Sequence, residues 1–440
     1  MVKKFFRSFK LVLSNPTILR RIAITFAILF VFKMGTFITI PLVEATQITY
    51  IIKNNSFFGF LDTFSGGGLG NFSILALGIS PYITSSIVIE MLQLVFPPLK
   101  ELASQGEVGK QKMNKIIRYF AVFLAFVQAL ALIIGLNATA ENIFDTKVFS
   151  SGDGMFVFYY IYMAIVVTAG SCFTIWLADL ITQYGAGNGS SMIIAAGIIT
   201  QIPAMFSTLH TKYWTEPTAG HVISYFVILL LYVLVILGVV YLEATVRKIP
   251  VQYANRQGKS DSNIPIKLNS ASVIPVIFAS TILSLPLTIL GLLGLSASTN
   301  NAAYWMNQIF SIQNPIGIIL YVILIYVFSF FYSFMQINPE KIAENLQNSN
   351  AYIPSIRPGE ETVGYISRLL YKVTLLGATY LAIVALIPSI TAKIFNFTGN
   401  EANVITIGGT GLLIVVGVAV ETMKQLETDA NELTYSGFVD

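Results

Sequence analysis

The stretch Gly59–Gln93, GFLDTFSGGGLGNFSILALGISPYITSSIVIEMLQ, decides how this chain is read. A glycine-rich segment (Gly66, Gly67, Gly68 and Gly70) runs straight into an apolar segment with Pro81 near its middle. Inside a bilayer every backbone N–H and C=O needs a partner from the protein. Broken backbone at membrane depth is therefore tolerated only where it is buried or lines a cavity. A broken, glycine-led helix among intact ones points to a pathway through the protein.

Composition supplies the membrane. Hydrophobic residues make up 55% of the 440 residues and charged ones 11%, with a mean hydropathy of +0.72. Soluble domains carry about 25% charged residues. Apolar runs recur at the length needed to cross a bilayer, about 20 residues. They predict ten spans near 21–41, 74–96, 116–136, 155–178, 189–206, 222–243, 271–293, 316–336, 366–388 and 404–423. The fold class is thus an all-α membrane protein.

Lys and Arg set the orientation. The N-terminal tail carries Lys3, Lys4, Arg7, Lys10, Arg20 and Arg21, and the loop after span 2 carries Lys100, Lys110, Lys112, Lys115 and Arg118. The loop after span 6 carries Arg247, Lys248, Arg256, Lys259 and Lys267, whereas the alternate loops are poor in basic residues. The positive-inside rule puts both termini in the cytoplasm. Val2–Leu13 interleaves basic residues with Phe5, Phe6, Phe9 and Leu11, as suits a helix lying on the inner leaflet, and lacks the pattern of a cleavable signal. The one cysteine, Cys172, allows no intramolecular disulfide. The net charge of +4 follows from topology and calls for no nucleic-acid partner.

Ten spans divide into an N-terminal half, 1–206, and a C-terminal half, 207–440. An odd number of spans per half makes the second enter the membrane from the opposite side, so related halves would form an inverted repeat. Ile79-Ser80-Pro81-Tyr82-Ile83 in span 2 and Ile274-Pro275-Val276-Ile277 in span 7 both set a proline among isoleucines in the second span of a half. Proline is common in membrane helices, so coincidence stays open.

Two inner loops exceed simple connectors. Residues 244–270 alternate on either side of a Gly-Lys-Ser-Asp turn, which predicts a projecting β-hairpin with a basic tip. Residues 337–365 predict a second structured finger. Such loops suit a large acidic partner or a docking motor, or serve only to fix topology. Gly258-Lys259-Ser260 is not a P-loop, because Tyr253 stands where the first glycine belongs.

Catalytic chemistry is missing from the pattern. His210 and His221 lie in or beside an outer loop with no metal-ligand spacing, and no span carries an internal histidine for a Ser–His dyad. Asp153 has no second aspartate at membrane depth, which argues against intramembrane proteolysis. No enzyme activity, cofactor or metal is expected. Ionisable residues within spans are few: Lys33 falls in the middle of span 1, Glu90 in the second half of span 2 and Asp179 near the inner end of span 4, and each is a functional candidate. Lys33 and Glu90 could form a static pair, face a wet cavity, or couple to an ion.

Seven long segments carry a resemblance, in order: 64–92, QGEVGKQKMNKIIRY (105–119), ITQYGAGNGSSMIIAAGI (181–198), RKIPVQYANR (247–256), IPIKLNSASVIPVIFAST (264–281), NPEKIAENLQNSNAYIPSIRPGEET (338–362) and GGTGLLIVVGVAVETM (408–423). Over nearly its whole length the chain resembles the SecY/Sec61α protein-conducting channels, in their bacterial SecY form. The resemblance implies ten transmembrane helices in two pseudo-symmetric inverted halves of five, with a short plug helix. It implies the central pore subunit of the Sec translocase: a passive channel that passes unfolded preproteins across the cytoplasmic membrane and releases hydrophobic segments sideways into lipid.

By motif position the pore ring would be Ile79, Ile83, Ile194, Ile198, Ile277 and Ile414. Two of these pairs are four apart and share a helical face, a spacing that core- or lipid-facing isoleucines also show. The plug would be Phe60–Asn71, including Leu61, Phe64, Gly66, Gly67, Gly68, Leu69 and Gly70; a flexible outer loop is the plain alternative. The lateral gate would hold Thr84, Gln128 and Asn269, whose hydrogen bonds to one another would form a weak latch, about 0.6 kcal/mol each. Partner docking would fall on Arg247, Lys248, Arg256 and Arg357. The implied partners are SecE-like and SecG-like small membrane subunits, a SecA-like ATPase motor, the ribosome, signal-sequence-bearing preproteins and the lipid bilayer.

Lys33 takes the place of a basic residue the family carries in span 1, which favours a structural or cavity role. Glu90 stands where the bacterial pattern has Gln. The tail from Lys424 is acidic where bacterial relatives end basic, which puts its contact with ribosome or motor in doubt. A secondary transporter built on an inverted repeat is the alternative class, and an accessory paralogue serving a few substrates would share the fold.

Overall fold

The computed structural model describes residues 15–41, 48, 56–139, 155–214, 219–253, 262–269, 272–292, 301–312, 314–395, 397 and 399–436. The expectations for the tail Val2–Leu13, for Asp153, for Arg256 and for the Gly-Lys-Ser-Asp turn lie outside these residues, as does the side chain of Phe60.

Each expected span falls on a helix. The first is α1 (Pro16–Gly35), opened by Asn15, whose side chain accepts from the Thr17 N–H, with Pro16 in the first turn. A short helix α2 (Ser56–Phe64) precedes α3 (Ser80–Val95), and α4 (Pro97–Ser104) lies beyond it. Next come α5 (Gly106–Thr139), α6 (Met155–Tyr184), α7 (Gly189–Ile199), α8 (Ile202–Trp214) and α9 (Ala219–Ala244). The second half continues with α10 (Ile274–Leu292), α11 (Asn301–Phe310), α12 (Pro315–Gln336), α13 (Pro339–Asn348), α14 (Glu360–Ile394) and α15 (Gly399–Ser436). Among the described residues seven stretches are long and apolar enough to cross a membrane, the pairs α7–α8 and α12–α13 each counting as one. The three remaining expected spans are α1, α3 and α10.

Two spans depart from the sequence reading. Span 2 does not begin at 74: residues 65–79 are turns, and the helix starts at Ser80 with Pro81 in its first turn. Proline has no N–H to offer, and in the first turn none is required, so Pro81 starts a helix where a mid-span kink was expected. Pro275 holds the same kind of position, second residue of α10. Both prolines therefore open the second span of their half. Span 5 is interrupted at Thr200–Gln201, between α7 and α8, and α8 packs with α9 and α15. The division expected between 206 and 207 thus falls inside α8, whose Met205, Leu209 and Tyr213 are buried against Ile228, Tyr232 and Ile405.

The two inner loops meet. Strand β1 (Val246–Tyr253) pairs antiparallel with β2 (Ser262–Lys267), the hairpin expected from the alternation. From the other loop, β3 (Ala351–Tyr352) pairs with Gln252 and Tyr253 on the far side of β1. Ile249, Val251 and Ile266 pack with Leu346 of α13 and with Ile366 and Leu370 of α14. One three-stranded platform therefore replaces two separate fingers.

The acidic C-terminal segment continues the last span as a helix. Leu426 and Ala430 are buried with Ile18 and Ala186, and Asp429 pairs with Arg21 at 2.8 Å. Asp429 thus ties this helix to the first turns of α1.

Candidate functional site

Helices α3, α7, α10 and α15 bring Ile79, Ile83, Ile194, Ile198, Ile277 and Ile414 into one buried apolar cluster. All six are below 9% exposed. Close approach between helices depends on glycine here: a side chain at Gly411 of α15 would sit 2.4 Å from a methyl carbon of Ile198. Beside these residues lies a small cavity lined by Ile198, Ile414, Val276, Tyr321, Thr63 and Phe64, among others. Val276, not its neighbour Ile277, lines that cavity, and Phe64 places α2 directly against the isoleucines.

The segment 60–71 folds as the end of α2 followed by tight turns. Gly66 and Gly67 have φ of +70° and +84°, where a Cβ would be strained. Gly66 also meets Gly197 of α7 so closely that a Cβ on Gly66 would lie 3.2 Å from the Gly197 Cα. Glycine here serves both conformation and contact. Leu69 is fully buried in a second apolar cluster with Phe72, Ala129 and Ile133, on α5's side of the molecule.

Polar side chains surround the same segment. Lys33 Nζ donates to the Gly66 carbonyl at 2.8 Å and stands 5.1 Å from the centre of the Phe37 ring. Asp62, at 9% exposure, accepts at Oδ1 from the Gly70 N–H (2.7 Å) and at Oδ2 from Gln201 Nε2 (3.1 Å). Downstream, an isolated bridge joins Thr39 to Ser73, with Ile40 N–H bonded to Phe72 O and Ile74 N–H to Ile38 O.

Lys33 and Glu90 are not a pair. Glu90 Oε1 accepts from Ser86 Oγ at 2.9 Å, and its Oε2 is buried with no hydrogen-bond partner among the described residues. Asp179 of α6 pairs with Arg118 of α5 at 2.9 Å, which is a static link between adjacent helices.

The expected gate residues do not bond to one another. Thr84 donates to the Ser80 carbonyl one turn earlier, and Gln128 is half-buried on α5. Asn269, 4% exposed, donates to Glu243 Oε1 at 2.9 Å and to Ser272 O at 2.8 Å. Its donors are thus taken up by α9 and its own turn. Lys424 Nζ also donates to the Glu243 main-chain carbonyl. Ser85 Oγ donates to Ile117 O at 2.7 Å, which ties α3 to α5; α5 in turn packs on α10.

Arg247, Lys248 and Arg357 are exposed at the platform. Sequence reasoning missed Asp62, Gln201, Val276 and Glu243. Of these only Asp62 left a signal, since it and Glu90 are the sole charged residues in Gly59–Gln93.

A family sequence model described as SecY matches residues 73–423. "Protein translocase subunit SecY" of Halalkalibacterium halodurans is 41% identical over 430 residues, covering 96% of each chain. The protein of the same name from Staphylococcus carnosus is 40% identical and covers 98% of this chain and 99% of its own. The one from Bacillus subtilis is 39% identical over 95% of this chain and 96% of its own. Among solved structures, "The structure of a protein conducting channel" superposes with a TM-score of 0.63 at 21% identity, covering 92% of this chain and 91% of that one. The shared fold and the full-length identity to named relatives agree, and the chain belongs to the SecY family.

Proposed function

We propose that this protein is the central pore subunit of a protein translocase, a passive channel for unfolded preproteins with a lateral exit for hydrophobic segments. One observation carries this reading most: four helices converge their isoleucines into one buried cluster, and a glycine-led segment packs directly on it. A narrow apolar collar resists ions by dewetting, yet it offers a passing peptide no hydrogen bonds to linger on.

In this reading Ile79, Ile83, Ile194, Ile198, Ile277 and Ile414 form the ring, residues 60–71 are the plug, and the halves are 1–206 and 207–440. The lateral exit opens between α3/α5 and α10/α12, near Thr84, Gln128 and Asn269. At rest the plug would close the ring. Arg247, Lys248, Arg256 and Arg357 dock a cytosolic partner, either a SecA-like ATPase motor or a ribosome, which supplies the energy. Small SecE-like and SecG-like subunits complete the assembly in the bacterial cytoplasmic membrane, with both termini in the cytoplasm. The chain itself performs no catalysis.

The test is site-specific photocrosslinking of a preprotein stalled in transit by a folded C-terminal domain. Photoreactive residues at 83, 277 and 414 should capture the stalled chain, and one at Phe226, exposed on α9, should not. Capture at 226 without capture at the isoleucines would sink the assignment.

A further inference from the structure

We infer that Gln201, Asp62 and Lys33 form a polar latch that holds the plug in its seat, with Gln201 at the break between α7 and α8 as its release point. This rests on reading residues 60–71 as the plug. The segment is held at two ends by different means. At 71–74 it is fixed to the chain after α1 chiefly by the Thr39–Ser73 bridge and its flanking backbone bonds, with Asn71 Nδ2 donating to Thr36 O at 3.3 Å. At 62–66 its polar ties to the wall come from side chains: Gln201 Nε2 to Asp62 Oδ2 (3.1 Å) and Lys33 Nζ to Gly66 O (2.8 Å). Thr200 Oγ1 bonds Gly197 O at 2.7 Å and reaches only to 3.5 Å from Gly66 O.

The two oxygens of Asp62 have different duties. Oδ1 accepts from the Gly70 N–H within the segment, a bond that travels with it. Oδ2 accepts from the wall, and this bond breaks when the segment leaves. A buried carboxylate needs partners, and the Gly70 N–H and Gln201 Nε2 supply them. Leaving the seat returns Asp62 to water, so solvation offsets part of the lost bond. A neutral amide thus gives a hold that an entering chain can break. The interruption of span 5 has a role in this arrangement: it places Gln201, the residue just before α8, at the level of the plug.

The test is the resting ion conductance of the assembled complex in planar bilayers. Four variants are compared with the parent: Gln201→Glu, Gln201→Leu, the double change Asp62→Asn with Gln201→Glu, and deletion of 60–71. Gln201→Glu sets two carboxylates against each other, and like charges in such contact repel strongly, so conductance should rise about tenfold or more. Gln201→Leu removes the donor without adding charge and should leak at an intermediate level. In the double change the new amide at position 62 keeps an oxygen for Gly70 and donates its N–H to the new carboxylate at position 201. That reversed bond should return conductance to near the parent's value, which no general loosening of the fold would do. Deletion that leaks while Gln201→Glu stays tight, or a double change as leaky as Gln201→Glu alone, overturns the latch and spares the plug. Deletion that does not leak removes the plug reading and the latch with it.

Discussion

Replacing Gly197 by alanine separates plug seating from general stability. A Cβ at position 197 would lie 3.0 Å from Thr63 O and 3.2 Å from both Cα and N of Gly66. All three are backbone atoms, so no side chain can swing aside and the segment itself must shift by a few tenths of an ångström. Overpacking of this kind costs about 1–3 kcal/mol, and the lower half of that range fits a single methyl group. A change of about 1–2 kcal/mol alters a two-state ratio by a factor of roughly 5–30, here the ratio of displaced to seated plug. An opposing effect is present: Gly197 lies inside α7, and alanine there favours the helix by up to about 1 kcal/mol. That gain is the same whether the plug is seated or displaced, so it cancels in the gating ratio and remains in the stability of the fold. The variant should therefore show a several-fold higher resting conductance, with a Tm equal to or above the parent's. An unchanged conductance in a correctly assembled variant would refute the close approach as the seating contact. A conductance rise accompanied by a fallen Tm would assign the leak to general loosening instead.

Three further outcomes follow from the same geometry. Ile414→Asn puts an amide into a buried cluster of aliphatic side chains, at a cost of about 1–3 kcal/mol to the closed state where the amide goes unsatisfied. A wet, open pore removes that cost, so the variant should export reporters with weakened signal sequences, whereas a carrier would gain nothing of the kind. Because Ser85 ties α3 to α5, and α5 packs on α10, a disulfide between facing turns of α5 and α10, in a Cys172→Ser background, should block export until reduced; undiminished export with the crosslink complete removes the gate assignment. Arg247→Glu and Lys248→Glu should each weaken motor or ribosome binding by roughly fivefold at low salt, with the difference shrinking as salt rises; equal binding at every salt concentration would assign these residues to topology alone.

Much of the architecture was legible because it is written in local composition. Span positions and the hairpin at 244–270 follow from runs and alternation within short windows of sequence. Pro81 marked the break correctly, but whether it kinks a helix or starts one depends on the turns at 65–79, which are built against α1 and α7. The pairing of β3 with Gln252 and Tyr253 joins loops far apart in sequence, and neither strand names its partner. The latch was hidden for the same reason: Gln201 is 139 positions from Asp62, and Lys33 bonds a glycine carbonyl, which has no side-chain signature. Asn269 was expected to face Thr84 and Gln128, and its amide is instead bonded to Glu243, a carboxylate at the end of a span that hydropathy alone treats as an unremarkable flank. Glu90 has a neighbour in Ser86 but, among the described residues, no partner for its second oxygen, and a carboxylate at this position has no physical account in the fold.

The central claim is that this chain conducts unfolded protein. Its most direct measurement is reconstitution in lipid vesicles with the small membrane subunits, a cytosolic ATPase motor and a secretory precursor, followed by protease. Precursor should appear protected inside the vesicles, dependent on ATP and on the presence of this chain. Absence of protected precursor under every combination of partners, from vesicles carrying correctly inserted protein, would contradict it.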